Sequence, residues 1–141
     1  MKSALILIAA ICLSLPSCVQ QVKSTKAPGA NLSNLKTFYV ERYAPDTRGI
    51  DGVIAGQLQA KGFNATHGAS KKAPANADAR LTYVDRWMWD ITMYLLKLDI
   101  QITDAKTGAI LAKGESTRTS LARKSPEFMA REILDDIFKT N

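Results

Sequence analysis

The first seventeen residues constrain the folded part of this chain most, because they determine which residues remain to build it. A basic start at Lys2 is followed by the unbroken apolar run 4–13, and the small residue Ser17 stands directly before Cys18. This pattern is typical of a secretory signal peptide, and the run is shorter than the roughly 20 apolar residues of a spanning helix. Cys12 is removed with the signal, so Cys18 is the one cysteine of the mature chain.

The residues before Cys18 resemble a bacterial lipobox. Leu15 and Ser17 occupy positions where leucine and serine are usual, whereas Pro16 between them is unusual. The resemblance implies cleavage before Cys18 and acylation of this residue with palmitate-like chains. No thiol then remains for a disulfide, a metal or a nucleophile, and the domain depends on its apolar core alone. The open alternative is an ordinary secreted protein that is cut nearby.

An acylated Cys18 predicts a lipid-anchored protein of the cell envelope, since more than one acyl chain holds a protein stably on a membrane. Val19 stands where lipoproteins retained in the inner membrane often have aspartate, so the resemblance favours the outer membrane, facing the periplasm. Residues 19–35 lack hydrophobic periodicity and are predicted to be a flexible spacer. The chain is therefore divided into a signal peptide (1–17), a lipidated cysteine with spacer (18–35) and a single periplasmic domain (36–141).

Hydrophobic periodicity predicts an α+β domain: a two-layer sandwich with a mostly antiparallel sheet and two helices on one face. The element order is β-α-β-β-β-α, with an extra short strand at 63–66. Asp46 or Thr47 is expected to cap the first helix, and Ser125 the second. The longer strands are predicted at 37–43, 80–89, 92–103 and 109–120.

Apolar alignment also predicts which residues lie opposite one another in the sheet. One hairpin is expected to turn at Asp90-Ile91 and the next at 104–108. The small residues Ala112 and Gly114 leave room for a helix to approach. The predicted pairs are Leu81 with Ile100, Tyr83 with Leu98, Trp87 with Tyr94, Ile102 with Ile110, Ile100 with Ala112, Leu98 with Gly114, Asp99 with Lys113, and Lys97 with Glu115.

Three sequence motifs resemble those of small bacterial envelope lipoproteins. These are Lys61-Gly62-Phe63 after the first helix, Ala77-Asp78-Ala79 at a strand entry, and Asp104 through Gly108 at a hairpin turn. Many such lipoproteins belong to domain-of-unknown-function families whose fold is similar to the amino-terminal domain of TolB. The resemblance implies a periplasmic adaptor or binding module and supplies no catalytic residues.

The search for catalytic or metal chemistry yields two residues. His67 is the single histidine, in a predicted loop without a cysteine or second histidine nearby, so we expect no metal, no cofactor and no enzymatic activity. The predicted register turns Asp85 toward the apolar face, which suggests a perturbed acid in a pocket. The alternative is a bulge that turns Asp85 outward, or an edge position in contact with Arg86 or Arg118.

The tip of the central hairpin is the main candidate for a binding surface. It carries apolar groups on both faces, although helices cover only one, so Met88, Met93 and Leu95 are expected to be exposed together. Alternatively the spacer or the loop 68–77 covers them, or the chain dimerises there. The candidate binding residues are Trp87, Met88, Trp89, Met93, Tyr94 and Leu95.

Positive charge is the second surface feature. Without Lys2, eighteen basic residues face thirteen acidic ones, and Arg118, Arg123 and Lys124 cluster beyond the last strand. They face anionic headgroups or form a solvated rim, and nucleic acid is not expected as a partner outside the cytoplasm.

The favoured function is a non-catalytic interaction or adaptor module that docks an envelope protein. The alternative is a carrier or sensor of a small apolar ligand or lipid near Trp87 and Asp85. The partner's identity and the oligomeric state stay open.

Overall fold

The computed structural model describes residues 21–139, so the predicted signal peptide and Cys18 lie outside the described residues. The first half of this range contains two strands, a helix and a third strand, and the second half is a strand meander followed by a helix. The elements are β1 (Gln21–Lys26), β2 (Thr37–Glu41), α1 (Ile50–Ala60), β3 (Asn64–Gly68), β4 (Ala79–Asp90), β5 (Thr92–Asp104), β6 (Ile110–Thr117), a 3₁₀ turn (Ser120–Ala122) and α2 (Pro126–Ile137).

The six strands form one mixed sheet in the order β1-β6-β5-β4-β2-β3. The neighbouring pairs β1–β6, β6–β5 and β5–β4 are antiparallel, whereas β2 runs parallel to both β4 and β3. α1 and α2 pack on each other and on one face of the sheet, where they bury the apolar core. The predicted α+β two-layer sandwich is confirmed. We call the sheet face away from the helices the open face.

The predicted spacer is wrong for residues 21–35, because this segment is part of the fold. β1 pairs antiparallel with β6, with Gln21 opposite Thr117, and Leu32 and Leu35 are buried in the core. β1 is an edge strand with polar side chains, so it lacks the apolar alternation that identifies a half-buried strand in sequence. Consequently only three residue steps separate the paired residue Gln21 from Cys18.

The β5–β6 register differs from the prediction by one residue next to the turn, where Thr103 pairs with Ile110, and by two residues beyond Leu111. The turn at 104–108 is confirmed, since Asp104 accepts hydrogen bonds from two backbone N–H groups within it. Leu111, however, is an extra residue in the ladder, and a single extra residue leaves no trace in the period-two pattern. The observed pairs are Leu98 with Ser116, Asp99 with Glu115, Ile100 with Gly114, Gln101 with Lys113, and Ile102 with Ala112.

This register changes the predicted ion pairs on the open face. Lys97 Nζ lies 2.8 Å from Glu115 and 3.0 Å from Asp99, so the pair with Glu115 forms diagonally. Lys113 lies opposite Gln101 rather than Asp99. The predicted Lys97–Glu115 contact is therefore confirmed, while Asp99 shares Lys97 instead of pairing with Lys113.

The β4–β5 hairpin also has a shifted register and contains a bulge. Tyr83 lies opposite Ile100 and not Leu98, and the register changes again between Arg86 and Trp87, where Leu96 is the extra residue. A one-residue change exchanges the two faces of a strand. Beyond the bulge the observed pairs are Trp87 with Leu95, Met88 with Tyr94, Trp89 with Met93, and Asp90 with Thr92.

Both predicted helix starts are confirmed, because a polar side chain accepts hydrogen bonds from backbone N–H groups at each of them. The Asp46 carboxylate accepts hydrogen bonds from the backbone N–H groups of residues 48–50, although the N-cap position itself belongs to Gly49 at φ +73°. At α2, Ser125 Oγ accepts from the N–H of Phe128 at 3.2 Å. These side chains satisfy N–H groups that have no partner within the helix. Within residues 21–139, neither helix is long and apolar enough to cross a membrane.

Candidate functional site

The end of the β4–β5 hairpin projects beyond the rest of the sheet. One row across the sheet joins Gln21, Thr117, Lys97 and Arg86, on four successive strands. Within residues 21–139, β1 and β6 form no ladder pairs beyond this row, whereas β4 and β5 continue past it and meet at Ile91. At about 3.3 Å per residue, five residues place the apex about 16 Å beyond the row. We call residues 87–96 the hairpin tip.

Large apolar side chains are exposed at this tip. Trp89 exposes 68% of its surface and Ile91 exposes 86%. The 3₁₀ turn lies beside them, because Ser120 Oγ donates to the Asp90 carboxylate, and its Leu121 is 92% exposed. The apolar patch consists of Met88, Trp89, Ile91, Met93 and Leu121.

Not every predicted binding residue reaches this patch. Leu95 is only 1% exposed and belongs to the core, so its predicted exposure is wrong. The bulge at Leu96 turns Leu95 toward the helices, and it also puts Met88 and Met93 on opposite faces of the hairpin instead of together. Tyr94 is buried and Trp87 is half-buried. Binding by the exposed residues stays a prediction.

Arg123 covers Tyr94 and connects the 3₁₀ turn to the hairpin tip. Its Nε donates to the carbonyl of Ser120 at 2.9 Å, and its two terminal nitrogens donate to Thr92 Oγ1 and to the carbonyl of Asp90. The guanidinium stacks 4.5 Å from the centre of the Tyr94 ring. The segment after β6, not the predicted spacer or loop, therefore packs against this hairpin. The loop instead lies at Tyr39, whose Oη donates to the carbonyl of Ser70.

Ile91 adopts a left-handed backbone conformation at the apex, with φ +63°. For a β-branched residue this conformation is an outlier and costs roughly 1–2 kcal/mol, whereas glycine or asparagine adopts it readily in a hairpin turn. The side chain is exposed and gains no compensating burial. Folding stability therefore does not explain why isoleucine occupies this position.

The predicted basic cluster is divided by the fold. Arg118 is almost fully buried and forms a bidentate ion pair with Glu132 of α2, so it does not face the solvent. Arg48 lies 4.2 Å above the Trp87 ring and is exposed. Several cationic side chains thus surround the base of the hairpin tip. This basic collar consists of Arg48, Arg86 and Arg123, whereas Lys124 lies 4.9 Å from the centre of the Phe128 ring in α2.

The acidic residues of this region have defined partners. Asp85 lies opposite Leu98 on the helix side and accepts a hydrogen bond from Trp87 Nε1 at 2.6 Å. This partner is neither of the arginines that the sequence suggested. Asp90 lies 3.7 Å from Arg123. Both acids therefore contribute to holding the tip in shape.

A buried charge cluster lies near the β3 edge of the sheet, and no pattern in the sequence predicted it. Asp51, in the first turn of α1, is fully buried, and its Oδ2 lies 3.0 Å from Arg42 Nε and 2.9 Å from His67 Nδ1. Burial raises the pKa of Asp51, but the hydrogen bonds from His67 and Arg42 outweigh it and hold that pKa below its usual value. His67 thus lies in β3 and supports a buried carboxylate, rather than standing in a loop.

A cation site does not arise from this cluster. Within residues 21–139, no three His, Cys, Asp or Glu side chains converge in an arrangement that could hold a metal ion.

A concavity of about 710 Å³ lies on the open face of the sheet. It is on the opposite side from the helices, whereas the carrier alternative places its ligand between helices and sheet. Its lining includes the apolar residues Tyr43, Val84 and Ile100 as well as polar and charged ones, among them Lys23, Thr25, Thr82, Asp99, Gln101, Lys113 and Glu115.

Comparison with known proteins shows likeness in structure alone. No protein-family model matches the sequence, and no curated protein matches it. The PelC dodecamer from Paraburkholderia phytofirmans is similar at 18% identity and a TM-score of 0.61, over 87% of this chain and 100% of that chain. A PDZ domain protein from Parabacteroides distasonis is similar at 16% identity and a TM-score of 0.55, over 94% of this chain and 40% of that one.

TolB from Acinetobacter baumannii is also similar, at 14% identity and a TM-score of 0.50, over 85% of this chain and 30% of that one. At such identities the likeness concerns the fold. It agrees with the TolB-like fold that the sequence resemblance implied.

Proposed function

We propose that this chain is a lipid-anchored, non-catalytic interaction module of the cell envelope. Acylated Cys18 holds it in the outer membrane, facing the periplasm, and the apolar patch at the hairpin tip is its binding surface. The observation that carries the proposal is the exposure of Trp89 and Ile91 together at a projecting apex. Exposed apolar patches of this kind usually mark interaction sites.

The design of the tip supports a binding role over a packing role. Arg123 and Asp90 fix the hairpin against the 3₁₀ turn, so the patch is presented on a braced element. Ile91 occupies a backbone conformation that other residues would adopt at lower cost. The structure thus keeps an apolar side chain at the point farthest from the core.

The envelope location is supported by two features. The chain begins with a signal-like segment that ends in Ser17-Cys18, and the fold is similar to that of TolB. The carrier alternative has weaker support, because it places the ligand near Trp87 and Asp85 on the helix side of the sheet, whereas the concavity lies on the open face.

The anchor is tested by mass spectrometry of the purified protein and by fractionation of cells. The wild-type chain should have a mass that corresponds to cleavage before Cys18 plus acyl chains, and it should sediment with membranes. The Cys18→Ser variant should lose both properties. A wild-type chain of unmodified mass in the soluble fraction would refute the anchor.

The binding surface is tested by photocrosslinking in cells. Photoreactive side chains are placed at Met88, Trp89 and Met93, and matched probes are placed at Ile110, an exposed isoleucine at the opposite end of the sheet, and at Lys72 in the loop. A discrete adduct from the tip probes alone, with either protein or lipid, supports the proposal. Equal or absent adducts at tip and control positions would contradict it.

A further inference from the structure

We infer that the apolar patch inserts into the interface of the same membrane that holds acylated Cys18, and that the basic collar contacts its lipid phosphates. The inference rests on the proposed function and names the partner of its binding surface. The hairpin tip then acts as a second, non-covalent attachment that fixes the orientation of the domain on the bilayer.

The first argument is the position of the anchor relative to the tip. β1 begins at Gln21, and Gln21 lies in the row from which the hairpin tip projects. The antiparallel pairing with β6 directs the start of β1 toward the Ile91 end of the sheet. Gln21, the first described residue of β1, therefore lies at the end of the sheet that carries the patch.

The second argument is length. Three residue steps from Gln21 to Cys18 span at most about 11 Å, even when fully extended. The apex lies about 16 Å beyond the same row. When the strands point toward the membrane, the apex thus reaches at least about 5 Å past the Cys18 backbone. Interfacial elements bury their apolar faces about 5–10 Å deep, so the two lengths are compatible.

The third argument is the chemistry of the tip. Tryptophan is enriched at membrane–water interfaces, and beside Trp89 lie the apolar side chains of Ile91 and Leu121. The basic collar stands behind this patch, where it can attract anionic headgroups. Of the nearby acids, Asp90 is next to Arg123 and Asp85 is bonded to Trp87, so neither presents an unengaged negative charge to the membrane.

These observations favour a bilayer over a protein partner. The patch lies at a hairpin apex, and it combines apolar groups with cations behind them. A short tether keeps it close to the membrane whatever else it contacts. Insertion explains why isoleucine occupies this left-handed position, since the apex is the part of the fold that reaches deepest into the membrane.

The test uses the mature lipidated protein in vesicles of phosphatidylethanolamine and phosphatidylglycerol. Because acylation consumes the thiol of Cys18, an introduced cysteine is the one free thiol of the chain. Ile91→Cys and the control Ile110→Cys each carry a nitroxide label. Collision rates with oxygen, which concentrates in the bilayer, and with a water-soluble nickel chelate report where each label lies.

The expected result is a several-fold preference for oxygen at position 91 and for the nickel chelate at position 110. Equal behaviour at the two positions would overturn the inference. A label at position 91 that is shielded from both reagents would also overturn it, because the tip would then lie against protein. If the wild-type chain fails to remain with the vesicles, the proposed function fails first, and the inference with it.

A second measurement avoids any change at the apex. Brominated phospholipids quench tryptophans that contact their chains, so they should quench the emission of the wild-type protein in vesicles. Trp89→Phe should remove most of this quenching, because the remaining Trp87 is half-buried beneath Arg48. Quenching that is absent in the wild-type protein, or unchanged in Trp89→Phe, would contradict insertion of the tip.

Discussion

Gly114 of β6 lies directly beneath Ile133 of α2, with no room for a side chain between them. A Cβ atom built on Gly114 would lie 2.5 Å from Cγ2 of Ile133 and 3.0 Å from Cδ1 of Ile137. Both isoleucines are fully buried, so neither can move aside into solvent. The absence of a side chain at Gly114 therefore sets the distance between α2 and the sheet.

Gly114→Ala should lower the free energy of unfolding by about 1–3 kcal/mol, because the added methyl group overpacks the contact between α2 and the sheet. The matched control is Gly56→Ala on the exposed side of α1, where an added Cβ meets nothing within 4 Å. There the same change should raise stability by about 0.5–1 kcal/mol, through helix propensity. Urea unfolding measures both, and a Gly114→Ala variant as stable as the wild type would contradict the close approach.

The sequence predicted Gly114 to be a close-approach site because the apolar alignment places the small residues Ala112 and Gly114 on the face that the helices cover. Local patterns also identified both helices, the cap at Ser125, Asp46 as one of two candidates to bind the start of α1, and the turn at 104–108. Local patterns could not predict the strand register. Leu96 and Leu111 are extra residues in their ladders, and period-two alternation contains no information on one unpaired residue. β1 was missed because an edge strand can be polar throughout.

The candidate site was predictable in kind but not in detail. Excess apolar residues on a hairpin with one covered face indicated an exposed surface, and Trp89 and Met93 are indeed exposed there. Leu95 was misplaced because the bulge exchanges the two faces at that point. Leu121 and Arg123 join the tip only through tertiary packing of a segment some 30 residues further along the chain, which no local pattern reveals.

Ile91→Asn should raise the free energy of unfolding by about 1 kcal/mol, because asparagine tolerates the left-handed conformation that strains isoleucine. The same variant should show weaker contact of the tip with vesicles. The control Ile110→Asn changes an isoleucine that is also exposed but has no positive φ, so it should give no such gain. A fall in stability on Ile91→Asn would mean that the isoleucine packs against the fold after all.

Acid should destabilise the fold through Asp46. Burial raises the pKa of this carboxyl, but hydrogen bonds from Tyr83 Oη at 2.6 Å and from the N–H groups of residues 48–50 outweigh it and hold the pKa below its usual value. A lowered folded-state pKa gives stability that is complete above the unfolded pKa of about 3.9 and disappears as the pH falls through the folded value.

Tyr83→Phe should therefore lower stability at pH 7, by roughly 1.5–3 kcal/mol for a hydrogen bond to a charged group. It should also flatten the loss of stability between pH 4 and pH 2, since Asp46 then titrates closer to its unfolded pKa. Urea unfolding at several pH values measures both effects. An acid dependence as steep as that of the wild type would show that other carboxylates dominate it.

His67→Leu should destabilise the fold by about 1–3 kcal/mol, although the ring is partly exposed, because it removes a hydrogen bond from the buried carboxylate of Asp51. Gly52 lies beside the ring, and a Cβ at that position would make a close contact of 3.3 Å with Cε1 of the imidazole. Asn64→Ala, an exposed change in the same strand, should stay within about 0.5 kcal/mol of the wild type. If His67→Leu is equally neutral, Arg42 alone must be sufficient to hold the charge on Asp51. The double variant with Arg42→Met decides this point. If both side chains hold the carboxylate of Asp51, the coupling energy between the two substitutions should be well above that of independent sites.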